Sequence, residues 1–214
     1  MRLDHVSYVA SHDQISDVVN RIGSQIGTAF IDGGIHPKFG TRNFTAPLLN
    51  GHYIEVVCPL DHPATESTPF GQAVKKKAEA GGGWLSWVIS TSNITELESS
   101  YGRNAIIGQR KKPNGEELTW KQLGVIPTLE DPAVPFYVQW ISKNHPSRDG
   151  HPNAVISTIN ISADKEKIFK MVDVRKLEKN QEFSLFWLNP KDNEGITGIT
   201  SIEFEVNSNK VLLQ

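Results

Sequence analysis

The sequence predicts an α+β protein with two β-α-β-β-β units in tandem and a shorter α+β unit after them. Three observations predict it. Residues 52–63 (His-Tyr-Ile-Glu-Val-Val-Cys-Pro-Leu-Asp-His-Pro) and 136–146 (Phe-Tyr-Val-Gln-Trp-Ile-Ser-Lys-Asn-His-Pro) are both β-like runs ending in His-Pro. Each has one polar residue at its middle, Glu55 or Gln139. Upstream, the run from His5 to Ile15 echoes the run from Trp84 to Ile94. After a turn-rich stretch at 147–153, an order of strand, helix and strands begins again. A repeat of this length sets the architecture before any single element does.

The elements follow in order. Leu3 to Ala10 alternates as a strand with His5, Ser7 and Val9 on one face. Ser11 opens a helix with Gln14 three residues later, and Ile15, Val18, Val19 and Ile22 recur at helical spacing. Thr28 to Ile31 is a short strand, and Asp32 to Gly40 reads as a loop because it is full of turn formers. Thr41–Leu49 and His52–Cys58 form a hairpin about Asn50-Gly51. Residues 1–59 thus make the first unit and 60–83 a connector, with a short helix from Gly71 to Ala80 and a flexible stop at Gly81-Gly82-Gly83. In the second unit, 84–146, Trp84–Thr91 is a strand and Ile94, Leu97 and Tyr101 mark a helix. Strands follow at Ala105–Gln109, Leu118–Val125 and Phe136–Ile141, with a proline-rich loop from Pro127 to Pro135. The extension, 154–214, has strands at Val155–Ile161, Phe183–Leu188, Ile199–Val206 and Lys210–Leu213, and a helix from Ala163 to Val174. Its expected role is structural.

Composition narrows the function. With 214 residues the chain buries a full core. A net charge of −2, from 22 basic and 24 acidic residues, leaves no basic stripe for nucleic acid. The runs Lys75-Lys76-Lys77 and Arg110-Lys111-Lys112 read as solvated faces. The single cysteine, Cys58, excludes a disulfide within the chain and a cysteine-based zinc site. No segment has the apolar length of a signal or membrane span, so a cytoplasmic protein with no membrane partner is the expectation.

Leu3-Asp4-His5, the stretch Gly33-Gly34-x-His36-x-x-x-Gly40-Thr41-x-Asn43, Tyr53-Ile54-Glu55 and Pro135-Phe136-Tyr137-Val138-Gln139-Trp140 together resemble the glyoxalase-like branch of the vicinal oxygen chelate superfamily. The resemblance covers about residues 1–146. It implies two βαβββ modules curled into a half-open barrel around a pocket for a small molecule, with lyase, isomerase or dioxygenase chemistry as inherited alternatives. It also implies metal ligands on the first and fourth strands of each module, here His5, Glu55, Trp84 and Gln139. His5 and Glu55 match, Gln139 is a weaker oxygen donor, and Trp84 cannot bind a metal. His36 offers a third ligand for one divalent ion. A homodimer is an assembly that the resemblance allows.

The residues support three uses of one pocket. In the first, His5 and Glu55 hold a divalent metal. In the second there is no metal. Desolvation raises the pKa of Glu55 until it serves as a general acid or base near neutral pH, with His5 or His36 as its partner. Gln139 then holds a substrate carbonyl. In the third the pocket only binds and sequesters a small molecule. Thr41 and Asn43 supply donors from the glycine-rich stretch, or that stretch simply shapes a tight connection. Strand phase taken from the duplication places Tyr53, Trp84, Tyr137 and Gln139 on the pocket face, and Trp87 and Trp140 toward the helices. Aromatic walls favour a partly apolar organic ligand.

Overall fold

In a computed structural model, residues 1–172, 177 and 183–214 are described. The first unit runs β1 (Arg2–Val9), α1 (Ile15–Ile26), β2 (Ile31–His36), β3 (Thr41–Pro47) and β4 (Tyr53–Pro59). The connector carries α2 (Pro63–Ser67) and α3 (Pro69–Glu79). The second unit runs β5 (Gly83–Ser90), α4 (Thr95–Tyr101), β6 (Ile106–Lys111), β7 (Glu117–Leu123), α5 (Val125–Glu130) and β8 (Phe136–Trp140). The extension adds β9 (Ala154–Ser162), α6 (Lys165–Met171), β10 (Ser184–Leu188), β11 (Gly198–Val206) and β12 (Asn209–Leu213). The last residues of the helix expected through Val174 lie outside the described residues.

The first eight strands close into a barrel in the order β1-β4-β3-β2-β6-β7-β8-β5. In each unit the first strand runs parallel to the last, β1 beside β4 and β5 beside β8. One seam between the units is the long antiparallel pair β1–β5. The other pairs Ile35 with Lys111 across β2 and β6, and it closes what the resemblance left half open. β2 occupies most of the stretch expected as a loop. Its glycines suggested a turn, but Gly34 serves close approach instead: a Cβ there would lie 1.8 Å from the Lys111 carbonyl oxygen.

Alternation in the strands divides the apolar residues between two cores. Inside the barrel, Val9, Val57, Val88 and Val138 meet Phe70, Ala73 and Val74 of α3, so the connector helix packs against the interior. Outside, Ile15, Ile22 and Ile26 of α1 pack with Val6, Trp84 and Trp87. The helix ends as its sequence implies, with Gly27 in the left-handed region and its N–H bonded to the Gly23 carbonyl.

β9 to β12 form a second sheet in the order β10-β9-β11-β12. Here the parallel partner of the first strand is the strand directly after the helix, so the extension is not a third copy of the unit. Its Ile159, Ile202 and Phe204 join the outer core. Among the described residues no helix is long and apolar enough to cross a membrane.

Candidate functional site

Inward-facing residues of both units line one narrow cavity. Its polar residues are His5, His36, Asn43, Tyr53, Glu55, Arg110 and Gln122, and its apolar walls are Phe70, Trp120, Phe136, Val138 and Trp140. Little of it is roomy: about 30 Å³ is open to the centre of a water-sized molecule.

An irregularity in β1 builds the centre. Opposite β5, the register steps from Leu3↔Ile89 directly to His5↔Val88, so Asp4 is the extra residue of a bulge. The bulge lets the neighbouring Asp4 and His5 side chains meet, with His5 Nδ1 2.9 Å from Asp4 Oδ2. Asp4 is fully buried and also lies 3.2 Å from His145 Nε2 and 3.2 Å from the Trp140 indole N–H. The Ser147 N–H donates to His145 Nδ1, so His145 carries its proton on Nε2 and donates to Asp4. Burial alone would raise the Asp4 pKa, but hydrogen bonds and charge from His145 and His5 reverse this and hold it well below the usual carboxylate range. An ionised Asp4 fixes His5 as the Nδ1–H tautomer, which leaves Nε2 as the atom facing the cavity.

That Nε2 lies 3.8 Å from Glu55 Oε2, too far for a hydrogen bond. Glu55 sits beside Ser7 in the parallel β1–β4 register. The Ser7 hydroxyl donates to its Oε2 at 2.8 Å, and the Asn43 amide donates to Oε1 at 2.7 Å. Burial pushes the Glu55 carboxyl up, as the sequence suggested. Attraction to His5 and His36 whenever those rings carry a proton, together with the two donors, outweighs it, so the net direction is down and the group stays ionised. The expected rise toward neutral does not occur.

His36 is buried, with Nδ1 2.8 Å from Thr41 Oγ1. Desolvation brings its pKa down to about 4; the Glu55 charge opposes this, while Arg110 and His5 reinforce it. Thr41 therefore lies behind His36, positioning it, and does not line the cavity. Tyr53 stacks on His5 with ring centres 4.4 Å apart, and burial keeps its phenol neutral far above the usual range.

Of the expected site residues, the structure brings together His5, His36, Asn43, Tyr53 and Glu55. Trp84, Tyr137 and Gln139 point away from the cavity. The Trp84 indole donates to the Leu213 carbonyl in the second sheet, and Tyr137 packs edge-on to Tyr101. Gln139 Oε1 accepts the Ile94 N–H at the start of α4. Their neighbours Phe136, Val138 and Trp140 face inward instead. The repeat matched residue types but not strand phase, and a shift of one residue turns every side chain over. Trp140, expected toward the helices, is a cavity wall.

This also decides the fit of a metal. The second unit contributes no ligand, and both Glu55 oxygens already accept hydrogen bonds. Among the described residues no group of three or more His, Cys, Asp or Glu is placed to hold a metal ion. The donor set does not fit a divalent metal, and no step below passes through one.

Sequence comparison agrees with this geometry: the glyoxalase-like domain family matches residues 3–172. The chain belongs to that family. Its fold is similar to that of a hypothetical protein from Staphylococcus aureus, at 18% identity and a TM-score of 0.58, covering 80% of this chain and 75% of that one. A methylmalonyl-CoA epimerase from Mycobacterium tuberculosis is more distant, at 16% identity and a TM-score of 0.44 over 66% of this chain and 89% of that one. The epimerase from Streptomyces coelicolor shows 13% identity and a TM-score of 0.42, over 66% and 99%. No protein of curated function matches in sequence. Within this glyoxalase-like barrel His5 is held from behind by one carboxylate and faced by another.

Proposed function

We propose that this glyoxalase-like protein transfers a proton at a carbon next to a carbonyl of a small organic substrate, in a reaction of isomerase or lyase type, with His5 as the base. One observation carries the reading: His5 stands between Asp4 at 2.9 Å and Glu55 at 3.8 Å in a water-poor cavity. Asp4 supplies the tautomer in which Nε2 has a free lone pair. When Nε2 takes a proton, the imidazolium gains an anion on each side, so charge that develops during the transfer is stabilised where it forms. Glu55 is the poorer base because both its oxygens already accept hydrogen bonds; it stabilises the charged His5. The carbonyl oxygen of the substrate needs a donor as its carbon loses a proton. The Tyr53 hydroxyl and His36, both neutral and both in the cavity lining, serve as that donor.

The test is deuterium exchange into a panel of small aldehydes, ketones and oxo acids, followed by NMR in heavy water. The wild-type protein is expected to label one of them. His5→Ala should slow that labelling by about 100-fold or more, the usual contribution of a placed general base. Glu55→Gln should slow it less while keeping substrate bound. Unchanged exchange in His5→Ala removes His5 as base. Tight binding with no exchange by the wild type makes the protein a sequestering module.

A further inference from the structure

Arg110 is the buried charge that this mechanism leaves unused. It alternates with Gly108 on the inner face of β6 and is only 2% exposed. Its Nη1 donates to Asn43 Oδ1 at 3.1 Å, while Nε and Nη2 have no hydrogen-bond partner. In a guanidinium those two N–H groups lie parallel on one edge, spaced for the two oxygens of a carboxylate. Burying a cation with a bare donor edge is costly unless an anion meets it. The backbone makes room for the group: a Cβ at Gly33 would lie 2.5 Å from Arg110 Nη1 and 2.1 Å from Asn43 Oδ1.

We infer that the free edge of Arg110 is a carboxylate-binding subsite, and that the substrate is a small oxo-carboxylic acid. The cavity favours a planar monoanion over a phosphate. It is narrow and walled by Trp120 and Trp140, and it already holds the anionic Glu55, which one more negative charge than Arg110 can balance would repel. Asn43 bridges the two charged groups, donating to Glu55 and accepting from Arg110. A carboxylate on Arg110 therefore lies one side chain away from the gap between His5 and Glu55. The assignment of this acid as substrate rests on the proton-transfer reading; the binding of it does not.

Pyruvate, 2-oxobutyrate and pyruvamide are the probes, read by tryptophan fluorescence and by thermal shift on the full chain. The two acids should quench fluorescence and raise the melting temperature, and the uncharged amide should bind at least about tenfold more weakly. Arg110→Lys keeps a charge but loses the fork, and should weaken acid binding about tenfold. Arg110→Met should weaken it further; if that variant does not fold, the acid–amide comparison and Arg110→Lys decide. His5→Ala should keep acid binding and lose exchange. Acid binding without exchange in the wild type removes the catalytic reading and leaves the subsite standing. Equal binding of acid and amide, wild-type affinity in Arg110→Lys, or no response of the wild type to either acid overturns the subsite.

Discussion

His36 is a base that the fold keeps uncharged. Its pKa lies at about 4 against an ordinary 6.5, because burial penalises the imidazolium. Between those values the unfolded chain binds the extra proton and the folded chain does not. Stability from this group is therefore complete above pH 6.5 and is lost as pH falls toward 4. The full effect is roughly 3 kcal/mol. Asp4 and Glu55 act lower, since their pKa values fall below the ordinary 3.8 and 4.5. Denaturant unfolding from pH 7 down to 4.5 should show the loss in the wild type and a flatter profile in His36→Gln; equal slopes would place the acid sensitivity elsewhere. His5 and Glu55 were legible as polar residues within β-like runs, and His36 as a histidine in the glycine-rich stretch read as a loop. Asp4 and Arg110 were not. Asp4 shares a strand with its neighbour His5, and regular alternation sends neighbours to opposite faces. Arg110 opens a run of three cations, and such runs are ordinarily solvated. Both depend on tertiary detail, a bulge in one case and a glycine on the neighbouring strand in the other.

Strands and helices that bury one face announce themselves by period, and so β1, α1, β3 and β4 were readable within a few residues. What period does not carry is register. β2 was hidden by its own glycines, whose purpose appears only where β6 crosses it. Gly34 has φ +91° and a Cβ there would strike the Lys111 backbone, whereas Gly115 has φ +86° with nothing within 4 Å. The two glycines share the strain of a left-handed backbone and differ in the collision. Gly115→Ala should cost about 1 kcal/mol, the conformational part alone. Gly34→Ala should cost at least about 3 kcal/mol or prevent folding, because the seam has to open. Thermal unfolding of the two variants side by side measures the difference. Equal losses would mean that β2 and β6 do not need the close approach.

At the scale of the molecule, the sequence separates the extension from the barrel by a linker, and the structure joins them through one apolar layer. Phe204 and Ile202 of β11 share the outer core with Val6, Trp84 and Trp87 of the barrel seam. The Trp84 indole is tied to the Leu213 carbonyl in β12. The wall that carries Asp4 and His5 is the same β1–β5 seam, so the second sheet covers the back of the strand that holds His5. Two layers over one core unfold together. Phe204→Ala removes a fully buried ring and should cost about 3–5 kcal/mol. If the layers are one cooperative unit, hydrogen exchange by mass spectrometry should show protection falling by the same free energy in β11 and in β1 and β4. If the extension is an independent domain, exchange should rise in β9 to β12 alone and the barrel strands should keep wild-type protection. The shared core predicts the first pattern.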